Sequence, residues 1–237
     1  MLRRGRGLKG MEIPILYRDG EILVCIKPVG ISSEEGGLPE LLREACGGEL
    51  WCVHRLDRAV GGVMVYARTK RSAAALSAAV AERRLEKIYL AVVQGRPAGE
   101  SGEMRDLLYH DAARNKSYVV KRPRRGVREA ALRYRLLASE ETPDGTLSLV
   151  RIRLETGRSH QIRVQFASRG LPLVYDGRYG SSLRGGSIAL WASMLSFPHP
   201  ASGERLCFTA PVPKERPWTF FESETFADHK EENLADF

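Results

Sequence analysis

The sequence predicts an α+β fold in which a largely antiparallel mixed sheet is flanked by helices and loops. Many short apolar segments alternate with turn-forming residues, and most links between them are too short to hold a helical crossover. Only three segments show the apolar spacing of a helix. With 43% hydrophobic and 28% charged residues, the chain has the composition of a soluble globular protein. No internal repeat or long Gly/Ser linker divides its 237 residues, so we expect one main domain.

The predicted strands are β-forming segments bounded by turn residues. The first two, at 15–17 and 21–26, flank the pair Asp19-Gly20 and therefore predict a hairpin. The remaining strands are expected at 51–53, 62–67, 88–94, 104–109, 130–138, 147–154, 188–196 and 206–208.

The three predicted helices have recognisable ends. Residues 38–46 contain a proline in the first turn and are followed by glycine. Thr69 is placed to cap a helix over 70–84, whose Ala-rich face should lie on the sheet. A third helix is expected from about 158 to 168.

We expect three regions: a basic N-terminal extension (1–14), the globular body (15–222) and an acidic C-terminal tail (223–237). No apolar run approaches the roughly 20 residues of a membrane-spanning helix, and no apolar signal-peptide core follows the basic N-terminus. The cysteines form no Cys-x-x-Cys pair and have apolar neighbours, which favours reduced core thiols in a cytoplasmic protein. They are Cys25, Cys46, Cys52 and Cys207.

Positive charge is concentrated in one part of the chain. The net charge is +8, and residues 114–135 hold nine Lys or Arg but only one acidic residue, Glu129. Pro123 and Gly126 interrupt this run, which predicts an exposed loop or hairpin tip. A cationic surface for a nucleic-acid backbone is the favoured interpretation, with Tyr118 and Tyr134 as stacking faces. A generic solvated loop is the alternative.

The turn His54-Arg55-Leu56-Asp57 places a carboxylate between two arginines, Arg55 and Arg58, and between two apolar segments. Nearby arginines favour the ionised carboxylate, which suits a nucleophile or base. Taken alone, the pattern more often indicates a surface ion pair beside a hairpin.

Three other segments also place polar residues at the end of an apolar element. They are Lys27-Pro28-Val29-Gly30, Lys87-Ile88-Tyr89 and Gly157-Arg158-Ser159-His160-Gln161-Ile162-Arg163. Together with the Asp57 turn and Asp-x-x-Tyr-Gly at 176–180, they occur in the order found in RNA pseudouridine synthases of the RluA-like family. The chain resembles that family over about 15–213, and four motifs in order are far more specific than one.

The resemblance implies a pseudouridine synthase catalytic fold with a central RNA-binding cleft, and it assigns roles to individual residues. It implies that Asp57 is the catalytic nucleophile, that Tyr89 stacks on uracil and is a candidate for moving the C5 proton, and that Arg163 pairs with the catalytic carboxylate. Ile162 would line the base pocket, and Arg55 would fill the space left by the displaced nucleotide.

Further substrate contacts are expected from cations elsewhere in the chain. Lys27 and Arg158 are candidates for phosphate contacts, although a strand-end cation and a local structural role are their respective alternatives. The basic run supplies further candidates for RNA contact, namely Lys121, Arg122, Arg124 and Arg125.

The expected chemistry calls for no cofactor. A carboxylate nucleophile can divide a difficult bond rearrangement into two steps, and a flipped nucleotide gives it access to the base. The histidines are scattered without ligand spacing, so we predict no metal site, and we favour structural roles for His54 and His160. The expected partner is ribosomal or transfer RNA, bound by a monomer without an obligate protein partner.

Departures from the family pattern leave two alternatives open. Val60-Gly61-Gly62 replaces a Thr-Ser-Gly triplet, and Gln165 stands where many relatives have histidine. One alternative is a non-catalytic protein that binds or folds RNA on the same scaffold, against which the joint presence of Asp57, Tyr89 and Arg163 argues. The other is a nucleoside hydrolase, which the basic run and the lack of a second positioned carboxylate disfavour.

Overall fold

A computed structural model describes residues 11–222 together with 225 and 226, and these residues build a single large sheet. Nine strands follow one path across it, in the order β1-β2-β4-β10-β5-β9-β8-β6-β7, while β3 pairs with β4 and β11 with β10. The bounds are β1 Ile15–Arg18, β2 Ile22–Lys27, β3 Trp51–Cys52, β4 Gly61–Ala67, β5 Glu86–Gln94, β6 Ser101–Asp111, β7 Lys116–Val120, β8 Val127–Thr142, β9 Gly145–Leu154, β10 Leu190–Pro198 and β11 Arg205–Thr209.

Only the β4–β10 pair is parallel among the described strands, so the predicted largely antiparallel mixed sheet is confirmed. Three α-helices flank it: α1 Leu38–Cys46, α2 Lys70–Ala81 and α3 Gln161–Ala167. Two 3₁₀ turns follow at Gly177–Tyr179 and Trp218–Phe220.

The helices cover opposite faces of the sheet. Tyr89 and Leu90 are neighbours on β5, so they point to opposite faces. Tyr89 belongs to a buried cluster with residues of α1 and α3, and Leu90 belongs to one with residues of α2. The sheet therefore has a core on both sides, and the cleft described below is lined by the start of α3 and by the end of α2.

One helix end agrees with the sequence prediction and another differs from it. The Thr69 side chain accepts a hydrogen bond from the Ser72 N–H at 3.0 Å and caps α2 as expected. Helix α3 begins at Gln161 rather than near 158, because His160 has a left-handed φ of 54°. The residues before it form a loop that reaches the cleft.

The basic run was predicted to be an exposed loop or a hairpin tip, and the hairpin tip is wrong. It contains β7, the connection 121–126 and the first part of β8. Because β6 lies between β7 and β8, the two basic strands do not pair with each other. The connection 121–126 is exposed. Strand β7 is short and lies within the basic run, and the sequence prediction did not include it although Tyr118, Val119 and Val120 are good β formers.

Packing corrects two smaller expectations. The ring of Tyr134 meets that of Phe166 edge to face at 5.7 Å and packs against the core, so it is not a free stacking surface. Of the four cysteines, Cys25 is buried, but Cys52 and Cys207 are exposed rather than core thiols.

The ends of the body are partly described. Ile13 is packed in the core and the Pro14 carbonyl accepts a hydrogen bond from the Ile26 N–H at 2.9 Å, so ordered packing begins before residue 15. Most of the expected regions 1–14 and 223–237 lie outside the described residues. Among the described helices, none combines the length and apolarity needed to cross a membrane.

Candidate active site

The turn that carries Asp57 joins β3 to β4 and is fastened to the segment after β2. The Ser33 hydroxyl donates to the Leu56 carbonyl at 2.8 Å and accepts from the Leu56 N–H at 3.2 Å. The Gly30 N–H donates to the Arg58 carbonyl at 2.7 Å, and Arg58 Nε donates back to the Gly30 carbonyl at 2.6 Å. These bonds on both sides of Asp57 fix its backbone.

Lys27 strengthens the same junction from inside. Its side chain is fully buried, and Nζ donates to the carbonyls of Pro28 at 2.8 Å, Ile31 at 2.7 Å and Arg58 at 3.4 Å. Burial lowers the pKa of Lys27 to about 8, although the nearby Asp57 charge acts in the opposite direction. The expectation that Lys27 contacts phosphate is corrected, since its three protons are already directed at backbone oxygens.

Arg163 joins Asp57 to a second carboxylate. Its NH1 lies 3.2 Å from Asp57 Oδ2, and its Nε and NH2 donate to the two oxygens of Asp176 at 2.6 and 2.9 Å. The side chains of Arg163 and Asp176 are 6% and 1% exposed, whereas that of Asp57 is 29% exposed. Asp176 therefore holds the guanidinium in a fixed plane, and one edge of that plane remains for the accessible Asp57.

The adjacent arginines do not pair with Asp57. Arg55 forms an exposed ion pair with Glu34 at 3.0 Å, and the Arg58 guanidinium turns to the Gly30 carbonyl. The partner of Asp57 is the distant Arg163.

His160 approaches Asp57 from the other side. Its Nε2 lies 3.7 Å from Asp57 Oδ2, and its Nδ1 lies 2.9 Å from the Tyr179 hydroxyl. Since this hydroxyl accepts the Ser117 N–H at 2.7 Å, we assign its own proton to the bond with Nδ1. The proton of a neutral imidazole is then on Nε2, facing Asp57. Burial lowers the pKa of His160, which favours this neutral form.

Asp57, Tyr89 and Ile162 line one cleft of about 1270 Å³. The Tyr89 side chain comes from β5 and is 5% exposed. Burial, with a smaller contribution from Asp57, raises the pKa of Tyr89, so the phenol is neutral at ordinary pH. An anion held by arginine, an aromatic ring and an aliphatic side chain in one cleft suit a flat, partly polar ligand.

Of the other predicted contact residues, two line the cleft and four do not. Arg55 and Arg158 are exposed and line the cleft, and Arg158 Nε donates to the Glu129 carbonyl at 2.9 Å. Four basic residues on 121–126 do not belong to its lining, namely Lys121, Arg122, Arg124 and Arg125. Arg124 lies over the ring of Tyr109, 4.7 Å from its centroid.

The departures from the family pattern have local explanations. A Cβ on Gly61 would lie 2.3 Å from the Trp191 ring, and one on Gly62 would lie 2.3 Å from the Ala192 carbonyl oxygen. The parallel pairing of β4 with β10 therefore requires small residues at both positions. The Gln165 amide donates to the Met104 carbonyl and the Asp106 carboxylate, outside the cleft lining.

The roles expected from the sequence do not include Asp176 or Tyr179, which the structure places against Arg163 and His160. The Asp-x-x-Tyr-Gly motif is the sequence signal for both residues, but its spacing does not connect it to the Asp57 turn. His54 is buried and its Nε2 accepts the Val65 N–H at 3.2 Å, in keeping with the favoured structural role. Within the described residues, no three potential metal-ligating side chains form a cluster.

Comparison with known proteins agrees with this geometry. The family model described as RNA pseudouridylate synthase matches residues 21–168. The chain is 31% identical to "Ribosomal large subunit pseudouridine synthase D" of Zymomonas mobilis, over 86% of this chain and 71% of that protein. It is 34% identical to the protein of the same name from Xanthomonas campestris, over 86% of this chain and 68% of the other.

A solved structure, "Human RNA Pseudouridylate Synthase Domain Containing 1", superposes with a TM-score of 0.74 at 24% identity, covering 85% of this chain and 84% of that one. This likeness supports the same fold, and the family match covers more than half of the sequence. The chain therefore belongs to the RNA pseudouridylate synthase family and is an RNA pseudouridine synthase.

Proposed function

We propose that this enzyme converts specific uridines of structured RNA, ribosomal or transfer RNA, to pseudouridine, with Asp57 as the nucleophile. The observation that carries the proposal is the accessible Asp57 carboxylate, paired with an arginine that Asp176 anchors, in a cleft that also presents Tyr89. The names of the relatives from Zymomonas and Xanthomonas, which refer to the large ribosomal subunit, favour ribosomal RNA.

The reaction rearranges bonds without adding or removing atoms. The bond between uracil N1 and the ribose breaks, the base turns, and C5 bonds to the same ribose carbon. C5 then loses its proton, and N1 gains one. Attack by the Asp57 carboxylate on the uridine divides this change into two steps. The Arg163 guanidinium orients the carboxylate and balances its charge, since arginine does not deprotonate and offers fixed donors.

Tyr89 and Ile162 receive the flipped base in this proposal. Flipping costs a few kcal/mol, and stacking on one aromatic ring returns roughly 1–3 kcal/mol. Because its pKa is raised, Tyr89 does not act as a resting phenolate. It moves the C5 proton only by passing on its own proton at the same time.

Arg55 and Arg158 extend the contacts to the RNA around the flipped nucleotide. When RNA binds, the Arg55 side chain leaves its exposed ion pair with Glu34 and fills the space that the flipped nucleotide vacates. The basic segment 121–126 contacts phosphates farther from the reacting base. The enzyme acts as a cytoplasmic monomer, which size-exclusion chromatography with light scattering and cell fractionation would test.

The decisive experiment compares wild type with Asp57→Ala on RNA from cells that lack the gene. We expect wild type to convert defined uridines, and Asp57→Ala to convert none while retaining nearly unchanged RNA affinity. Pseudouridine mapping of ribosomal and transfer RNA identifies the positions. If no position differs with and without the gene, the non-catalytic RNA-binding function replaces this proposal, and release of free uracil would instead indicate a hydrolase.

Charge reversal of the basic segment tests its contribution. Changing Lys121, Arg122, Arg124 and Arg125 to glutamate should weaken RNA binding and flatten its salt dependence. Unchanged affinity would show that 121–126 is only a solvated loop.

A further inference from the structure

Helix α2 ends in a turn whose conformation favours glycine, yet the sequence has arginine there. The Arg84 N–H donates to the Ala79 carbonyl at 2.8 Å and the Arg83 N–H to the Val80 carbonyl at 3.2 Å, the pattern of a Schellman motif. Arg83 occupies its left-handed position with a φ of 59°. A side chain at this position is a cost to the fold, since only glycine adopts it freely.

The Arg83 side chain forms no contact in the described part of the protein that would offset this cost. It is exposed and lines the cleft, and it forms no ion pair or hydrogen bond with any residue that the structure describes. Backbone geometry therefore opposes arginine here, and packing does not explain it.

Lys87, four residues later on β5, is a second cation that lacks an anionic partner. It lies two residues before Tyr89 and thus on the same face of the strand. The ammonium group is partly buried and lines the cleft, without a carboxylate or carbonyl partner in the described part of the chain. Burial lowers the pKa of Lys87 to about 8.

The acidic residues that neighbour these two cations in the sequence, Glu82 and Glu86, are already paired. Glu82 pairs with Arg84, and Glu86 pairs with Arg153 at 3.2 Å and Arg205 at 2.7 Å. The junction between α2 and β5 is therefore left with two uncompensated cations, both directed at the cleft.

Their place in the cleft indicates the ligand. Arg83 and Lys87 line the same cleft as Asp57, and so do His110 and Asn115 near the β6–β7 turn. The basic segment 121–126 connects β7 to β8 and does not belong to this lining. A polyanion that occupies the cleft at Asp57 therefore also faces Arg83 and Lys87.

We propose that Arg83 and Lys87 form an anion subsite that binds the RNA phosphodiester backbone beside the flipped nucleotide, separate from the 121–126 segment. The proposal rests on the proposed function for the identity of the polyanion. The left-handed backbone of Arg83 and the desolvated charge of Lys87 each cost stability in the free protein, and a phosphate supplies the partner that both side chains lack.

This assignment predicts an unusual combination of effects. Arg83→Gly removes the backbone strain, and Lys87→Met removes a desolvated charge, so each variant should unfold at the same or a higher temperature than wild type. Both should bind RNA more weakly. A purely structural role predicts the reverse for stability.

The test measures binding of the full chain to unmodified ribosomal RNA transcripts at several salt concentrations, in an Asp57→Asn background so that no turnover occurs. The double variant Arg83→Gly/Lys87→Met should lose about tenfold in affinity at moderate salt, with a log–log salt slope shallower by about 0.7–0.9 for each lost contact. Lys70→Met is the matched control, because Lys70 is exposed on α2 but does not line the cleft.

An unchanged slope in the double variant, or an equal change in Lys70→Met, overturns the subsite. Lower unfolding temperatures in Arg83→Gly and Lys87→Met overturn it as well, and Arg83→Asn repeats the test with another residue that tolerates this backbone. These measurements need no product. Failure of wild type to form pseudouridine would therefore refute the proposed function while leaving the binding result interpretable.

Discussion

Replacing each of the two carboxylates that pair with Arg163 should have different effects on stability and on activity. Asp176 is 1% exposed and makes two hydrogen bonds to the guanidinium, whereas Asp57 is 29% exposed and makes one at 3.2 Å. We therefore expect Asp176→Asn to destabilise the fold strongly and Asp57→Asn to affect it little.

The expected magnitudes follow from burial. Removing one partner of a buried ion pair costs about 3–5 kcal/mol, because the other charge stays in the interior without compensation. That is a large share of the roughly 5–15 kcal/mol by which a typical domain is stable. The Asp57 pair is partly solvated, so its loss should change the free energy of unfolding by less than about 1 kcal/mol.

The assay is urea unfolding at neutral pH, combined with pseudouridine formation in RNA. Asp57→Asn should keep the wild-type midpoint and lose activity. Asp176→Asn should shift the midpoint far to lower urea with an unchanged slope, and should retain reduced activity where it is still folded. Equal destabilisation by the two variants would refute the conclusion that Asp176, rather than Asp57, anchors Arg163.

Three further predictions concern groups around the cleft. Burial lowers the pKa of Lys87 from 10.5 to about 8, so the unfolded chain binds more protons between these values. Lys87→Met should therefore be more stable than wild type by about 1–3 kcal/mol below pH 8, with the gain lost above pH 10.5; a pH-independent difference in unfolding titrations would contradict this. Tyr89→Leu should weaken RNA binding by roughly 1–3 kcal/mol whereas Tyr89→Phe should preserve it, as filter binding would show; equal losses would exclude stacking. Gly62→Ala should lower the free energy of unfolding by at least about 2 kcal/mol, because its Cβ would lie 2.3 Å from the Ala192 carbonyl at a φ of +123°; a calorimetric scan like that of wild type would show that β4 and β10 can separate there.

Much of the fold follows from local sequence signals. The turn at Asp19-Gly20, the capping residue Thr69 and the apolar strands determine most elements within a few residues, because these signals act over one turn or one hairpin. Strand β7 was not predicted from these local signals. Three of its five residues, Tyr118, Val119 and Val120, favour a strand, but the segment is short and lies within a run of cations, and only its pairing with β6 identifies it.

The candidate site divides in the same way. The ordered motifs identified Asp57, Tyr89, Ile162 and Arg163, and the structure brings them to one cleft. Lys27 was wrongly expected to face phosphate, because a sequence pattern does not tell a buried amine from an exposed one. Three backbone carbonyls decided its role.

The sequence by itself determined the α+β class, the family and the residues that carry the proposed chemistry, since these depend on residue type and order. The tertiary structure alone decided which charges meet. Arg163 and Asp57 lie 106 positions apart, and Asp176 approaches the same guanidinium from a different turn. It also showed that Arg83 and Lys87 remain uncompensated at the cleft. Ion pairs depend on distance and burial, and only the folded chain fixes both.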